Sequence, residues 1–526
     1  MNGAQALIRT LASLGVEVCF TNPGTSEMHF VAALDAVPEL RAVLALFEGV
    51  ATGAADGYAR ISGKPAATLL HLGPGLGNGI ANLHNAKKAH TPMINVIGEH
   101  ATYHRAYNPP LSLDIAGVAG SVSKFVRTSE KLAELVDDTV AAYRAAVMRP
   151  CGVATIIVPA DLTWSEGIDS ISPVSTTSPN QESTPRETDA DLRLRAAAAA
   201  LRGGDSCTLF LGGSALTKAG LVAASRLANA FGAKMLCESF PAVLHRGAGI
   251  PPIDRLAYLG EYAMMQLGGT KRLILVGAED PVAFFAYPSK PSRYAPEDAE
   301  VMVLAGLDED SEAILEQLVE LLGVGGIEPT LQAALRPALP SGPLTGSAVA
   351  AAIGALLPEG AIVSDESITV GVMAPAATAG APAHRWLTLT GGAIGQGMPL
   401  ATGAAIASPG SKVVNIQADG SAMYTIQSLW TQAREKLDVT TVILNNKSYA
   451  ILEMELDRVG AEPGGPRARS MLQLFPPQID FASVSRGFGV PGVTVTSGEE
   501  LVAQLQHAFA EPGPHLIEAI LPQGIS

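Results

Sequence analysis

The sequence predicts an α/β protein made of three consecutive doubly wound, parallel-sheet domains. Three observations carry that reading. Short continuous apolar runs alternate with helical patterns along the whole chain, the appearance of strands covered on both faces. Two polar stretches rich in Pro, Ser and Thr, residues 165–189 and 325–347, interrupt the alternation and read as inter-domain linkers. The blocks they leave (1–165, 190–325 and 345–526) are each of ordinary domain size, and 526 residues allow about three domains.

In the first block, residues 41–47, 66–70, 93–97 and 153–158 read as buried strands, with helical patterns over 49–60 and 77–89. The middle block offers strands at 207–211, 234–237, 272–276 and 300–304. The last block offers 361–364, 386–390, 412–417, 440–444 and 515–520. Ligands of open parallel sheets bind at the carboxyl ends of strands, so polar residues there are the functional candidates.

Composition narrows the function classes. Hydrophobic residues at 48% and charged residues at 16% exclude general disorder. A net charge of −15 without a basic block argues against nucleic-acid and anionic-membrane partners. The 54 Gly and 36 Pro follow no period of three, which excludes collagen. Cys19, Cys151, Cys207 and Cys237 form no CxxC pair and read as buried reduced thiols of a cytoplasmic protein. The N-terminus, MNGAQALIRTLASLGVEV, has helical spacing with Arg9 inside it and does not read as a signal peptide. No run approaches the ~20 apolar residues of a membrane span.

Two strand ends in the last block stand out. The run 412–417 leads into Ala418-Asp419-Gly420-Ser421, and 440–444 into Asn445-Asn446-Lys447-Ser448-Tyr449. Asp419 and Asn446 lie 27 residues apart, one crossover helix plus loops, so both ends can share one sheet edge. Asp and Asn oxygens there suit a hard cation such as Mg2+ that also takes phosphate oxygens. Gly420 lets backbone N–H groups approach a diphosphate at the start of the next helix. Either piece alone reads as a turn or a strand-end Asn pair; their spacing and shared position favour the site.

ADGS…NNKSY resembles the signature of the thiamine-diphosphate enzymes, GDG followed by NN about one crossover later. The preceding GGAIGQGMP (391–399) is similar to that family's GxGxMGxGLP. The resemblance implies Asp419, Asn446 and the Ser448 carbonyl as metal ligands, with Gly420, Ser421 and Tyr449 around the diphosphate. Thr369 is a further diphosphate candidate. The Gly392 carbonyl would accept from the 4′-amino group, and Ile394 would hold thiamine in its bent shape. Ala418 stands where the family has Gly; a positive φ there would strain it by ~1 kcal/mol or more.

Glu48 closes the first block's run 41–47 and precedes a small-residue helix. Alone, it reads as a helix N-terminal Glu complementing the dipole. FEGVATGAADGYAR, however, resembles the E-x-x-A-x-x-x-A-x-G-[YF]-[AS]-R segment of decarboxylases and acetolactate synthases in the same family. That resemblance implies that Glu48 hydrogen-bonds N1′ of the aminopyrimidine and drives deprotonation of the thiazolium. Asn22-Pro23-Gly24-Thr25-Ser26-Glu27 resembles the NPG(S/T) turn of benzoylformate decarboxylase and its relatives. Thr25 would be a substrate-contacting hydroxyl, with Ser26 and Glu27 as helix cap residues. His71, before the Gly-rich loop 73–79, is by the same resemblance a proton-transfer candidate, and otherwise a structural His. That loop does not fit G-x-G-x-x-G, and no acidic residue follows ~20 positions on, so a dinucleotide site is rejected.

Glu99, His100 and His104 are placed to line the same cleft, whereas His84 and His90 read as surface residues. The middle block shows no catalytic motif and no flavin segment, so FAD is not expected. Residues 281–287 lack the second active-site His of benzoylformate decarboxylase. By alignment, Leu452 and Glu455 would face substrate, and residues 458–469 read as a lid. The implied activity is thiamine-diphosphate- and Mg2+-dependent cleavage or formation of a C–C bond at a 2-oxo acid. Decarboxylation would be followed by protonation or by transfer to an aldehyde or oxo acid acceptor, as in acetolactate synthase. A 2-hydroxyacyl-CoA lyase or oxalyl-CoA decarboxylase-like enzyme and a non-catalytic cofactor-binding relative are the alternatives. The family places its site between the first domain of one subunit and the third of another, which implies a homodimer or homotetramer.

Overall fold

The computed structural model describes residues 1–169, 189–460 and 464–524, with Asp457 described by its backbone alone. The strands fall into three sheets. The first contains β1 (Val18–Asn22), β2 (Arg41–Leu44), β3 (Ala66–Leu70), β4 (Met93–Glu99), β5 (Phe125–Thr128) and β6 (Val153–Pro159). All are parallel, in the order β2-β1-β3-β4-β6-β5. The second comprises β7 (Cys207–Leu211) and β8 (Lys234–Cys237), then β10 (Asp254–Arg255), β11 (Arg272–Val276) and β12 (Glu300–Ala305). They are parallel in the order β10-β8-β7-β11-β12.

The third sheet holds β13 (Ile362–Glu366), β14 (His384–Thr388), β15 (Val413–Ala418), β16 (Val439–Asn445), β17 (Gly492–Val495) and β18 (His515–Ile520). Its parallel order is β17-β18-β16-β15-β13-β14. A seventh strand, β9 (Leu244–Arg246), joins antiparallel at the β14 edge. This departs from the purely parallel sheet expected. The strand comes from the middle block, and Arg246 is fixed by stacking over Trp386 at 4.9 Å.

Most strand bounds match the apolar runs to within two residues. The run 41–47 is the exception. Its strand stops at Leu44, and Glu48 is the first residue of helix α1 (Glu48–Ser62). The Gly-rich stretch 73–79, expected as a loop, is the first two turns of helix α2 (Leu72–Lys88). Gly73 and Gly79 are packing residues. A Cβ on Gly73 would lie 2.5 Å from Leu113 Cβ, and one on Gly79 3.0 Å from Thr52 Cγ2.

The first and third sheets meet through α1 and α4 (Gly397–Ala407), with α3 (Gly260–Leu267) between them in the chain. The approach is backbone to backbone. A Cβ on Gly57 would sit 2.0 Å from the Leu400 carbonyl oxygen, and one on Gly403 1.8 Å from that of Ala54. Val50, Ala51, Ala54, Leu400, Ala401 and Ala404 share one buried core there. Small side chains therefore let helices from opposite ends of the sequence interlock.

The linker 165–189 lies mostly outside the described residues. Residues 325–345 form no regular element and run over the second and third sheets, through Gln332 N–H to Ile250 O (3.0 Å) and Leu335 N–H to Gly380 O (2.9 Å). Among the described residues no helix is long and apolar enough to cross a membrane.

Candidate active site

At the third sheet, β15 and β16 are neighbours with Ala418 opposite Leu444, so Asp419 and Asn446 leave the edge side by side. Asp419 opens the short helix α5 (Asp419–Thr425). Ala418 has φ −74° and ψ 145°, ordinary extended backbone, so the expected strain at this Gly-to-Ala position is absent. The Asp419 carboxylate is 3% exposed and accepts from two backbone N–H groups, Gly420 (2.8 Å) and Lys447 (2.7 Å). Burial pushes it up to about 6. Asn446 Oδ1 accepts from Ser448 N–H at 3.2 Å.

Among the described residues no basic side chain hydrogen-bonds or pairs with Asp419, so a buried acid stands beside an amide oxygen and the Ser448 backbone. Such a hard-oxygen set fits a divalent cation that completes its shell with phosphate and water. Gly420 is the close-approach point, since a Cβ there would lie 2.3 Å from the Tyr449 ring. Ser421 is buried in the first turn of α5, and Thr369 is half-buried at the start of a short 3-10 helix. Lys447 (φ 60°) and Ile368 (φ 53°), next to candidate ligands, hold the left-handed conformation. Backbone strain of this kind concentrates at functional sites.

The segment 391–397 is clamped from two sides. Glu366, 2% exposed at the end of β13, accepts from the N–H groups of Gly395 (2.6 Å), Gln396 (3.3 Å) and Gly397 (2.7 Å), and from Gln417 Nε2 (2.8 Å). Its carboxyl is raised by burial, against the lowering effect of these bonds. From the first block, Asn85 Nδ2 donates to Ala393 O (2.8 Å), and Gln396 Nε2 donates to buried Asp56 (2.6 Å), itself paired with Arg60. His84, expected on the surface, reaches Gly391 O at 3.0 Å and is part of this clamp. Gly392, with φ 73°, keeps open space beside it: an added Cβ would meet only the Phe284 ring, at 3.7 Å. Ile394 is half-buried next to it.

At the first sheet the chain order reverses between β1 and β3, whose ends Asn22 and Leu70 are paired. This is the crevice where a doubly wound sheet binds ligands. Glu48, 8% exposed at the head of α1, accepts from Asn78 Nδ2 at 3.0 Å. A Cβ on Gly75 would lie 3.2 Å from its Oε1, so the carboxylate sits close over α2. His71 caps α2 with its ring Nδ1 2.8 Å from Glu27 Oε2 and 3.3 Å from Ser26 Oγ. Its neighbour Leu72 is buried at φ 49°.

Glu27 also accepts from Gly24 N–H (2.9 Å), the cap role expected of it, but its grip on His71 was not expected. It is 2% exposed, and Gly98 must be glycine to admit it, since a Cβ would lie 1.7 Å from its Oε1. Thr25 is exposed beside this pair. At the end of β4, His100 N–H donates to Glu99 Oε1 (2.6 Å), and the His100 and His104 rings meet edge-on at 5.6 Å. Among the described residues no hydrogen bond joins Glu48 to the Asp419 loop.

Helix α6 (Ala450–Arg458) follows the Asn446–Tyr449 loop. Leu452 on it is 46% exposed, while Glu455 accepts from the hydroxyls of Tyr258 (3.1 Å) and Tyr287 (2.9 Å). The segment expected as a lid contains a short helix, Pro466–Ser470, and residues 461–463 lie outside the described ones.

Known proteins match both parts of the chain that carry these residues. Residues 1–118 match the thiamine pyrophosphate enzyme N-terminal TPP binding domain, and residues 369–519 match the C-terminal TPP binding domain. A Mycobacterium tuberculosis protein named "Putative acetolactate synthase large subunit IlvX" is 54% identical over 99% of both chains. Benzoylformate decarboxylase of Pseudomonas aeruginosa is 28% identical over 96% of both. Among solved structures, the thiamine diphosphate-dependent 4-hydroxybenzoylformate decarboxylase of Rhodococcus jostii RHA1 shares the fold, with TM-score 0.81, 23% identity and full coverage of both chains. With both cofactor-binding domains matched and a relative at this identity along nearly its whole length, the chain belongs to the thiamine pyrophosphate enzymes, of the acetolactate synthase and benzoylformate decarboxylase type.

Proposed function

We propose that the chain catalyses thiamine-diphosphate- and Mg2+-dependent C–C bond cleavage or formation at a 2-oxo acid, with release of CO2 and then protonation or transfer to a second carbonyl compound. The observation that carries this reading is the pair of buried carboxylates at two sheet edges: Glu48 at the crevice of the first and Asp419 beside Asn446 at the third. Asp419, Asn446 and the Ser448 carbonyl would hold the metal, with Gly420, Ser421, Tyr449 and Thr369 around the diphosphate. The Gly392 carbonyl and Ile394 would orient the aminopyrimidine, and Glu48 would exchange a proton with it. When bound, the cofactor supplies a nucleophilic carbon and an electron sink for decarboxylation.

His71 suits proton delivery to product. With Nδ1 directed at the Glu27 carboxylate, Nε2 is the atom left to face the crevice. Thr25 lies beside it for the substrate carboxylate, and Leu452 and Glu455 border the side-chain end. A second copy of the chain completes the site in this proposal, as a homodimer or homotetramer. Exposed apolar side chains flank each half, Leu46, Tyr103 and Leu113 on one and Val372, Tyr424 and Met471 on the other. Four unpaired cysteines fit a cytoplasmic enzyme.

The test supplies thiamine diphosphate and Mg2+ and follows two signals: hydrogen–deuterium exchange at C2 of the cofactor, and products from pyruvate, benzoylformate, oxalyl-CoA and a 2-hydroxyacyl-CoA, with and without an aldehyde. Accelerated exchange with CO2 release from a 2-oxo acid is expected. Turnover of the thioesters alone would move the chain to the CoA class. Exchange no faster than in free cofactor would mark a non-catalytic relative.

A further inference from the structure

Helix α6 leaves the Asn446–Tyr449 loop and is tied to the middle block, which contributes no recognised motif. Glu455 takes one tyrosine hydroxyl on each carboxylate oxygen: Tyr258, before α3, and Tyr287, between β11 and β12. Its side chain is only 12% exposed. One turn on, Arg458 stacks over the Tyr287 ring at 5.0 Å and pairs with Glu261 of α3 at 3.0 Å. Lys290 closes the group on Glu261 at 2.9 Å. Tyr258 also packs against Phe284, centroids 5.4 Å apart, and Phe284 is the side chain nearest the open face of Gly392. A line of neighbours thus runs from Phe284, across the open space beside Gly392, through Tyr258 to Glu455 and α6.

We propose that Tyr258 and Tyr287 are positioning residues that hold Glu455, and through it α6, at a set distance from the Gly392 segment, so that the middle block fixes the width of the chamber that receives the substrate side chain. The physical case is local. A carboxylate that accepts two phenol hydroxyls is held by two charge-assisted bonds, stronger than neutral ones and directional. Without them the nearest remaining cation is Arg458, whose Nε is 3.9 Å away. A helix held at its distal turn by such a clasp, next to a wall of aromatic rings, keeps Leu452 at one place over the opening. The inference rests on reading the 391–397 segment and α6 as the cofactor and substrate elements.

Tyr258→Phe, Tyr287→Phe, the double variant and Glu455→Gln test it, because Phe keeps the rings and removes only the hydroxyls. Each is measured for kcat and KM with pyruvate and with benzoylformate, for cofactor C2 exchange, and for Tm. The double variant is expected to change the ratio of the two kcat/KM values by about tenfold, the scale of a modest change in pocket fit. C2 exchange should stay near wild type, and Glu455→Gln should shift the ratio in the same direction. An unchanged ratio in active variants, with Tm alone lowered, overturns the inference and leaves the proposed function standing. Wild-type protein that turns over neither substrate and fails to accelerate exchange overturns both.

Discussion

Glu48 and Asp419 are both buried carboxylates on the first residue of a helix that follows a strand, yet their surroundings differ. Glu48 heads a helix of 15 residues and meets a side-chain amide, Asn78, on one oxygen. Asp419 heads a helix of 7 residues and meets backbone N–H groups on both oxygens. A side-chain partner can turn away when a ligand arrives, whereas backbone donors are fixed by the loop. In the proposed reading, this contrast suits Glu48 to exchange a proton and Asp419 to stay in place and hold a cation.

That comparison is broken most sharply at Glu48. Glu48→Gln keeps a side chain of the same shape and is expected to slow C2 exchange by about 10³-fold, within the range for a lost acid–base group. Metal-dependent binding of thiamine diphosphate, followed by calorimetry, should change little. Unaltered exchange would reassign the base. A smaller effect is expected at Glu27, which holds the His71 ring. Glu27→Gln should lower product formation by about 10- to 100-fold while exchange persists, because the imidazole loses the carboxylate that orients it. Equal losses in both signals would make Glu27 merely structural.

The third sheet also sets an acid limit of its own. His384 at the start of β14 is 3% exposed, and burial drops it to about 4. Its folded value lies below the unfolded one of about 6.5, so the unfolded chain binds more protons in that window. The His384 contribution to stability is therefore full above about pH 6.5 and falls by about 3 kcal/mol as pH drops to 4. Denaturant titrations of His384→Gln should show a shallower acid slope; an identical slope would contradict it. Gly420→Ala sharpens the Asp419 side. The Cβ would press on the Tyr449 ring, so a loss of about 1–3 kcal/mol and weaker cofactor retention are expected in thermal melts. A variant with wild-type Tm and affinity would show the loop to be loose.

What was legible in the sequence follows from where the information resides. Strands buried on both faces, such as β3, β7 and β11, announce themselves as continuous apolar runs. Poorly buried edge strands can escape: β5 has no fully buried position, and β9 is three residues, two of them half-buried, although the edge strand β12 was read. Asp419 and Asn446 were visible because a short motif sits at a fixed spacing on neighbouring strands. Glu48 was visible as an acid after an apolar run. Asp56, Glu366, Asn85 and the grip of Glu27 on His71 were not, since the partners are remote in sequence: His71 is 44 residues from Glu27, and Gln396 is 340 from Asp56. His84 was misread for the same reason, its contact being 307 residues away. Local pattern marks a candidate ligand residue better than it marks what holds that residue in place.

The central claim is that Glu48 and Asp419 grip one cofactor across a boundary between two copies of the chain. It is tested most directly by mixing two inactive proteins, Glu48→Gln and Asp419→Ala, through co-expression or subunit exchange. In a two-fold symmetric pair, a hybrid carries one site with both carboxylates intact and one with neither, so random pairing should restore about a quarter of wild-type activity. No restoration above either parent, in preparations shown to contain hybrids, would contradict the account.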